Sequence, residues 1–192
     1  VEPELFVTSL QRRLRAPIFH EEHFCPYCDG VADRFGDHCL VCPGGGDRTK
    51  RHNLLRNSVY HHCNTAGLAP ELEKPSLLRP RPHQGALEED GVQREGARGP
   101  EGRRPADVYL PRWRRGTPAA LDFAVTSGLR TGPLVASALE GQAAVVAYEG
   151  AQCEYLDTQE HCRSEGFTFI PMVVDACGGG WGPEAQKVWT EL

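Results

Sequence analysis

The stretch C-P-Y-C…H-C-L-V-C carries residues that can grip a metal ion. Cys25 and Cys28 make a thiolate pair at the reach of one tight turn, which Pro26 stiffens. Further on, His38, Cys39 and Cys42 offer the second half of a site. Zinc takes four nitrogen or sulfur ligands in a tetrahedron, so two sets compete. One is Cys25, Cys28, His38 and Cys42; the other replaces His38 by Cys39 and has the symmetrical double C-x2-C form. Spacing leaves both open. Cysteines interleaved with histidine in this way follow metal-ligand spacing rather than a secreted disulfide framework. With no secretion signal, the pattern predicts a reducing compartment, nuclear or cytoplasmic. Cys63, Cys153, Cys162 and Cys177 show no such grouping and are expected in the core.

A second candidate centre is acidic. Asp107 closes R-R-P-A-D just as a strand begins, and Asp122 stands inside the next strand between Leu121 and Phe123. A carboxylate in an apolar strand is costly to bury unless it is paired or bound to a metal. Two of them on adjacent strands can hold Mg²⁺ for phosphodiester hydrolysis. The plainer alternative has Asp107 capping a turn and Asp122 paired with an arginine.

Charge distribution adds a third element. From Glu140 onward there are nine acidic residues and two basic ones, whereas the remainder has 19 basic against 17 acidic. Arg48, Lys50, Arg51 and Arg56 form one basic cluster, and Arg103, Arg104, Arg112, Arg114 and Arg115 form another. Such patches on a protein of net charge -5 can contact phosphates or can be solvated faces.

The elements that must position these residues follow from periodicity. Leu5, Phe6, Leu10 and Leu14 predict a short helix over Pro3 to Leu14. Asp47 is the expected N-cap of a helix over Arg48 to Ala66, stopped by Gly67, with Leu54, Leu55, Val59 and Cys63 on its apolar face. Leu72 lies in a short extended piece. Ala106 to Leu110 and Ala119 to Thr126 read as strands, joined through Trp113 to Pro118 as an antiparallel hairpin. One long helix is expected over Leu134 to Ser164, weakened at Gly141 and Gly150, followed by a buried strand over Phe167 to Val174. Gly178 to Gly180 read as a loop, and Pro183 opens a last helix.

The chain of 192 residues, 40% hydrophobic, supports one modest core and a small second module. The expected division is a helix and zinc module over 1–46 and an α/β domain over 47–192. Within the latter, 79–104 is rich in Pro, Gly, Glu and Arg and is expected as a flexible insertion. No apolar run reaches the length that spans a bilayer. A start at Val1 rather than Met points to a piece of a longer polypeptide.

Taken together, P-A-D-V followed by L-D-F-A-V resembles the PD-(D/E)xK nuclease signature. The order C-P-Y-C, G-D-H, V-C and then Arg51-His52-Asn53 at a helix start narrows this further. It is similar to the restriction-enzyme-like endonuclease domain, with its CCHC zinc knuckle, of non-LTR retrotransposon reverse transcriptases. The likeness runs from about Cys25 to Trp181.

That resemblance implies an α/β PD-(D/E)xK core preceded by a zinc knuckle whose ligands are Cys25, Cys28, His38 and Cys42. It implies Asp107 and Asp122 as ligands of a catalytic Mg²⁺ or Mn²⁺, with Glu73 as a third acidic ligand. Arg48, Lys50, Arg51, His52 and Arg56 become contacts to nucleic acid. The partners implied are target DNA, element RNA and an upstream reverse transcriptase in the same polypeptide. One position departs from the pattern: the lysine two residues after the second acid is Ala124 here. Relatives can carry it on the following helix in a K-x-x-Y-L setting, where this chain reads Gln152 to Leu156. Glutamine orients a water but carries no charge. An alternative is therefore a catalytically inactive, zinc-containing nucleic-acid-binding module on the same fold; a protein-interaction module is the third.

Overall fold

The computed structural model describes residues 2–79, 103–129, 134–176 and 180–192. Helix α1 (Pro3–Arg13) has Pro3 in its first turn with Glu4, and Arg12 and Arg13 in its last, so both ends suit the helix dipole. None of its residues is buried. Strands β1 (His23–Phe24) and β2 (Val31–Ala32) pair antiparallel, and the short helix α2 (Asp37–Val41) follows.

Helix α3 (Asp47–Thr65) starts one residue earlier than expected. Gly46, left-handed at φ 73°, takes the N-cap place, and Asp47 instead pairs with Lys50 at 3.3 Å. Gly67, at φ 75°, follows the helix end as expected. Val59 and Cys63 are buried and Leu55 packs beside them, whereas Leu54 is 70% exposed. The expected inclusion of Leu54 fails because the stripe runs i, i+4, i+8 from Leu55, and residue 54 lies about 100° off it.

Beyond α3, β3 (Glu71–Leu72), β4 (Val108–Leu110) and β5 (Ala119–Thr126) lie antiparallel in that spatial order. The predicted 106–110 strand is thus shorter, while the 113–118 link does close a hairpin through a 3₁₀ turn at Arg114–Gly116. Three helices then cross to β6: α4 (Leu134–Leu139), α5 (Ala143–Glu154) and α6 (Thr158–Ser164). One continuous helix was expected here. It breaks after Leu139 and again over 155–157, where Leu156 and Asp157 have φ of 54° and 55° and end the i→i+4 ladder. Gly150 stays inside α5. The second break lets α5 and α6 both lie against β6 (Thr168–Asp175) instead of running past it. Strand β6 pairs parallel with β5 at the sheet edge, a place that tolerates Pro171, and α7 (Pro183–Glu191) ends the chain. The result is a mixed α/β fold on a mixed sheet.

Apolar side chains cover both faces of that sheet. Leu110, Leu121, Phe123 and Met172 pack against Val59 and Cys63 of α3 and Val188 of α7. Ala120 and Phe169 pack on the other side with Cys162 of α6 and with Phe167. Each fully buried large aliphatic contributes about 1.5–3 kcal/mol. Strand alternation puts Asp122 on the Ala120 face, toward α5. Cys63 and Cys162 are buried and Cys153 is half-buried; Cys177 lies outside the described residues. So do most of the predicted 79–104 insertion and of the 178–180 loop, although Leu78 and Arg103 form a bridge at the insertion's base. Among the described residues no helix is long and apolar enough to cross a membrane.

Candidate functional site

In the N-terminal module, the turn after β1 closes when the Cys25 N–H donates to the Gly30 carbonyl at 2.9 Å. The Tyr27 N–H points at Cys25 Sγ and the Gly30 N–H at Cys28 Sγ, each at 3.4 Å. Backbone donors of this kind favour thiolates; the Tyr27 N–H contributes most to lowering the Cys25 thiol to about 6. Cys42 Sγ stands 3.6 Å from Cys25 Sγ and 3.5 Å from Cys28 Sγ, and His38 Nε2 is 3.3 Å from Cys28 Sγ. Two sulfurs bonded to one tetrahedral zinc at 2.3 Å stand about 3.8 Å apart, so the spacing fits. All four ligand atoms lie within 4.8 Å of one another, and the cluster can hold a zinc ion.

The same geometry decides between His38 and Cys39. Residues 38 and 42 are i and i+4 at α2 and share a side, whereas residue 39 is turned about 100° away. Cys39 is exposed.

Two further residues shape this centre that spacing alone did not single out. Asp33 accepts the Phe35 N–H at 2.9 Å and the His38 N–H at 2.7 Å, holding the turn that delivers His38. Burial works against its charge, but these backbone donors outweigh it and keep its carboxyl below the usual value. The D-R-F-G order, an aspartate before a glycine turn, was the available clue. Gly30 is the other: a Cβ there would sit 2.5 Å from His38 Cε1.

The second centre lies where α3, β4, β5 and α5 meet. Asp107 Oδ2 accepts the Phe123 N–H at 2.9 Å and lies 3.0 Å from His52 Nε2. Asp122 Oδ2 accepts Gln152 Nε2 at 2.6 Å. Among the described residues Asp122 pairs with no arginine, the plainer alternative for it. Burial, and then the neighbouring Asp107 charge, push the Asp122 carboxyl up to about 7. Gln152 Oε1 is buried without a partner.

Not every expected residue converges here. The Glu73 N–H donates to the Asp107 carbonyl at 2.8 Å, but the Glu73 carboxylate is taken by Arg56 and, at 2.6 Å, by Arg104. Lys50 pairs with Asp47, and Arg51 donates to the carbonyls of Asp47 and Leu40. His52, implied by the resemblance as a phosphate contact, has its Nε2 beside Asp107. The sequence holds three lysines, and each forms a pair with a near neighbour: Lys50 with Asp47, Lys74 with Glu71, Lys187 with Glu184. None of them stands at the aspartates.

A cleft of about 910 Å³ separates the zinc module from the sheet. His38 and Val41 form one wall, Val125 and Tyr148 the other, and Arg48, Arg51 and His52 line it from α3. It reaches the acidic centre through His52 and Phe123, both of which touch Asp107. Glu149, also buried, serves α7 instead: its carboxylate accepts the Glu184 N–H at 3.2 Å, and burial raises its pKa.

No family model, curated protein or solved structure matches this chain.

Proposed function

We propose that the chain is a metal-dependent DNA-nicking endonuclease domain of the restriction-enzyme-like, PD-(D/E)xK kind, as in non-LTR retrotransposons. The observation that carries the reading is the convergence of Asp107 and Asp122 with Gln152. The element order supports it: a helix, three antiparallel strands, a helical crossover and a parallel fourth strand.

The donor set suits a hard divalent ion. Burial, and then the Asp107 charge, raise the Asp122 carboxyl to about 7, and a cation would offset both. Mg²⁺ or Mn²⁺ held by Asp107 and Asp122 would lower the pKa of a bound water and stabilise charge on the phosphate. Around it, His52 and the Phe123 N–H fix the Asp107 carboxylate, and Gln152 fixes Asp122. The zinc module and α3, whose Arg48 and Arg51 line the cleft, would position the DNA backbone, so that the module positions and the aspartates cut. An attached reverse transcriptase would then prime from the exposed 3′ end.

Purified protein with Mg²⁺ or Mn²⁺ should nick supercoiled plasmid, and Asp122→Ala should abolish nicking. Equal nicking by both proteins would sink the assignment. A second reading is favoured by the absence of any lysine at the aspartates: a nucleic-acid-binding module that no longer cuts. Its mark is a wild type that binds DNA without nicking it and gains activity through Gln152→Lys.

A further inference from the structure

The cleft between the zinc module and the sheet is not uniformly polar. Val41 and Pro43 stand on the module side, and Val125, Leu129 and Tyr148 on the sheet side. Val41 is 60% exposed and Val125 37%, so apolar surface faces water there. Tyr148 is half-buried; among the described residues its hydroxyl has no hydrogen-bond partner and its ring meets no other ring. Charge comes from a third side. Arg48 lines the cleft from α3, is exposed, and forms no ion pair or hydrogen bond among the described residues. Arg51 is engaged in structure instead, because it donates to the carbonyls of Asp47 and Leu40 and so ties α3 to α2. The carboxylate of Asp37, also on the lining, is taken by Arg15.

We propose that the cleft takes an unpaired nucleotide of the strand to be cut, its base against Tyr148 and Val125 and its phosphate toward Arg48. The substrate is then DNA opened beside the nick rather than an intact duplex. The inference rests on the nuclease reading of the acidic centre. Bases inside a duplex are stacked on both faces, and only their edges can be reached from the grooves. Apolar walls and an unengaged aromatic ring offer nothing to the phosphates that line such a duplex. An unstacked base presents its faces, which an aromatic ring receives whatever the identity of the base. The volume of about 910 Å³ falls in the range of sites that enclose a small ligand, about 300–1,000 Å³, and suits a nucleotide better than a duplex. The cleft meets the acidic centre at His52 and Phe123, both in contact with Asp107, so the nucleotide lies next to the phosphate that is cut.

The test measures binding of the full chain, zinc-loaded and with no other divalent ion, to DNAs of one sequence. These are an intact duplex, the same duplex with a short mismatched bubble, and the single strand. Wild type should bind the bubble about tenfold or more above the intact duplex, because the cost of unstacking is smallest where bases are already mismatched. Tyr148→Ala should weaken bubble binding by about 5- to 150-fold, the stacking of one base on an aromatic ring, and so erase the preference. Tyr148→Phe should keep the preference, since stacking needs the ring and not the hydroxyl. Arg48→Gln should weaken binding to every DNA and lower the slope of log affinity against log salt by about 0.7 to 0.9, one phosphate contact. Zinc content and thermal unfolding, matched to wild type, exclude misfolding. If bubble and intact duplex bind alike, or Tyr148→Ala keeps the wild-type ratio, the unpaired-nucleotide inference is overturned and the nuclease reading stands. If wild type neither binds nor nicks DNA, that reading falls and the inference with it. If single-stranded RNA of the same sequence binds more tightly than the bubble, and its affinity alone depends on Tyr148, the cleft serves RNA and the inference is likewise overturned.

Discussion

Residues 16–46 bury only Ala32, Gly36 and Cys42, whereas β5 buries five of its eight residues and is covered on both faces. The zinc module therefore lacks the apolar area that folds a domain, and its order rests on four ligand atoms and the backbone donors around them. The sheet is packed by apolar side chains on both faces, and burial there raises the Asp122 carboxyl to about 7. Ligation is local and all-or-none; burial is distributed and graded. Each region consequently supports a different kind of site: one cluster that can hold a structural metal, and one pair of carboxylates perturbed by burial.

Stripping the zinc with a strong chelator should break the comparison most sharply. Ligation of a structural zinc is worth on the order of 10 kcal/mol, so residues 20–46 should become protease-sensitive while β4–β6 stay protected in hydrogen exchange. Simultaneous loss of both regions would show that the sheet depends on the module. The converse perturbation is Leu121→Ala, which leaves a cavity beneath a fully buried side chain. It should cost about 2–5 kcal/mol in denaturant unfolding yet keep the zinc content of the folded protein unchanged.

Asp122 sharpens the contrast through pH. Its carboxyl, at about 7, stands above the ordinary value of 3.8. The folded chain then holds a proton that the unfolded chain has released, so stability should fall as pH rises from about 4 to about 7 and level off above that. With other divalent ions absent, Asp122→Asn should flatten this slope relative to wild type; equal slopes would refute the assigned cause. Smallest is Asp33→Ala, which removes the acceptor for the Phe35 and His38 N–H groups. Removing such outer support typically costs about 10- to 100-fold in metal affinity, readable by competition with a zinc indicator.

Much of this was legible in the sequence, for reasons that differ by element. The hairpin across Trp113 to Pro118, the buried strand near 167–174 and the helix after Pro183 follow from local pattern and turn chemistry, and they stand nearly where expected. The Cys25–Cys42 cluster is equally local, because its ligands lie within one short stretch of chain. The break at Leu156 and Asp157 was not legible: it answers to the placement of α5 and α6 on β6, not to the residues themselves.

The sequence by itself determined which residues could be ligands and which could be buried, because residue type and spacing govern both. Only the tertiary structure decided among them. Spacing left His38 and Cys39 equal, and the helical phase of α2 turned Cys39 outward. The family resemblance implied Glu73 beside the aspartates, and two arginines distant in sequence claimed its carboxylate. The family resemblance implied a phosphate contact for His52, and the packing of α3 against β5 sets its Nε2 beside Asp107. Ion pairs and burial depend on neighbours brought together from far along the chain, and no local pattern records those neighbours.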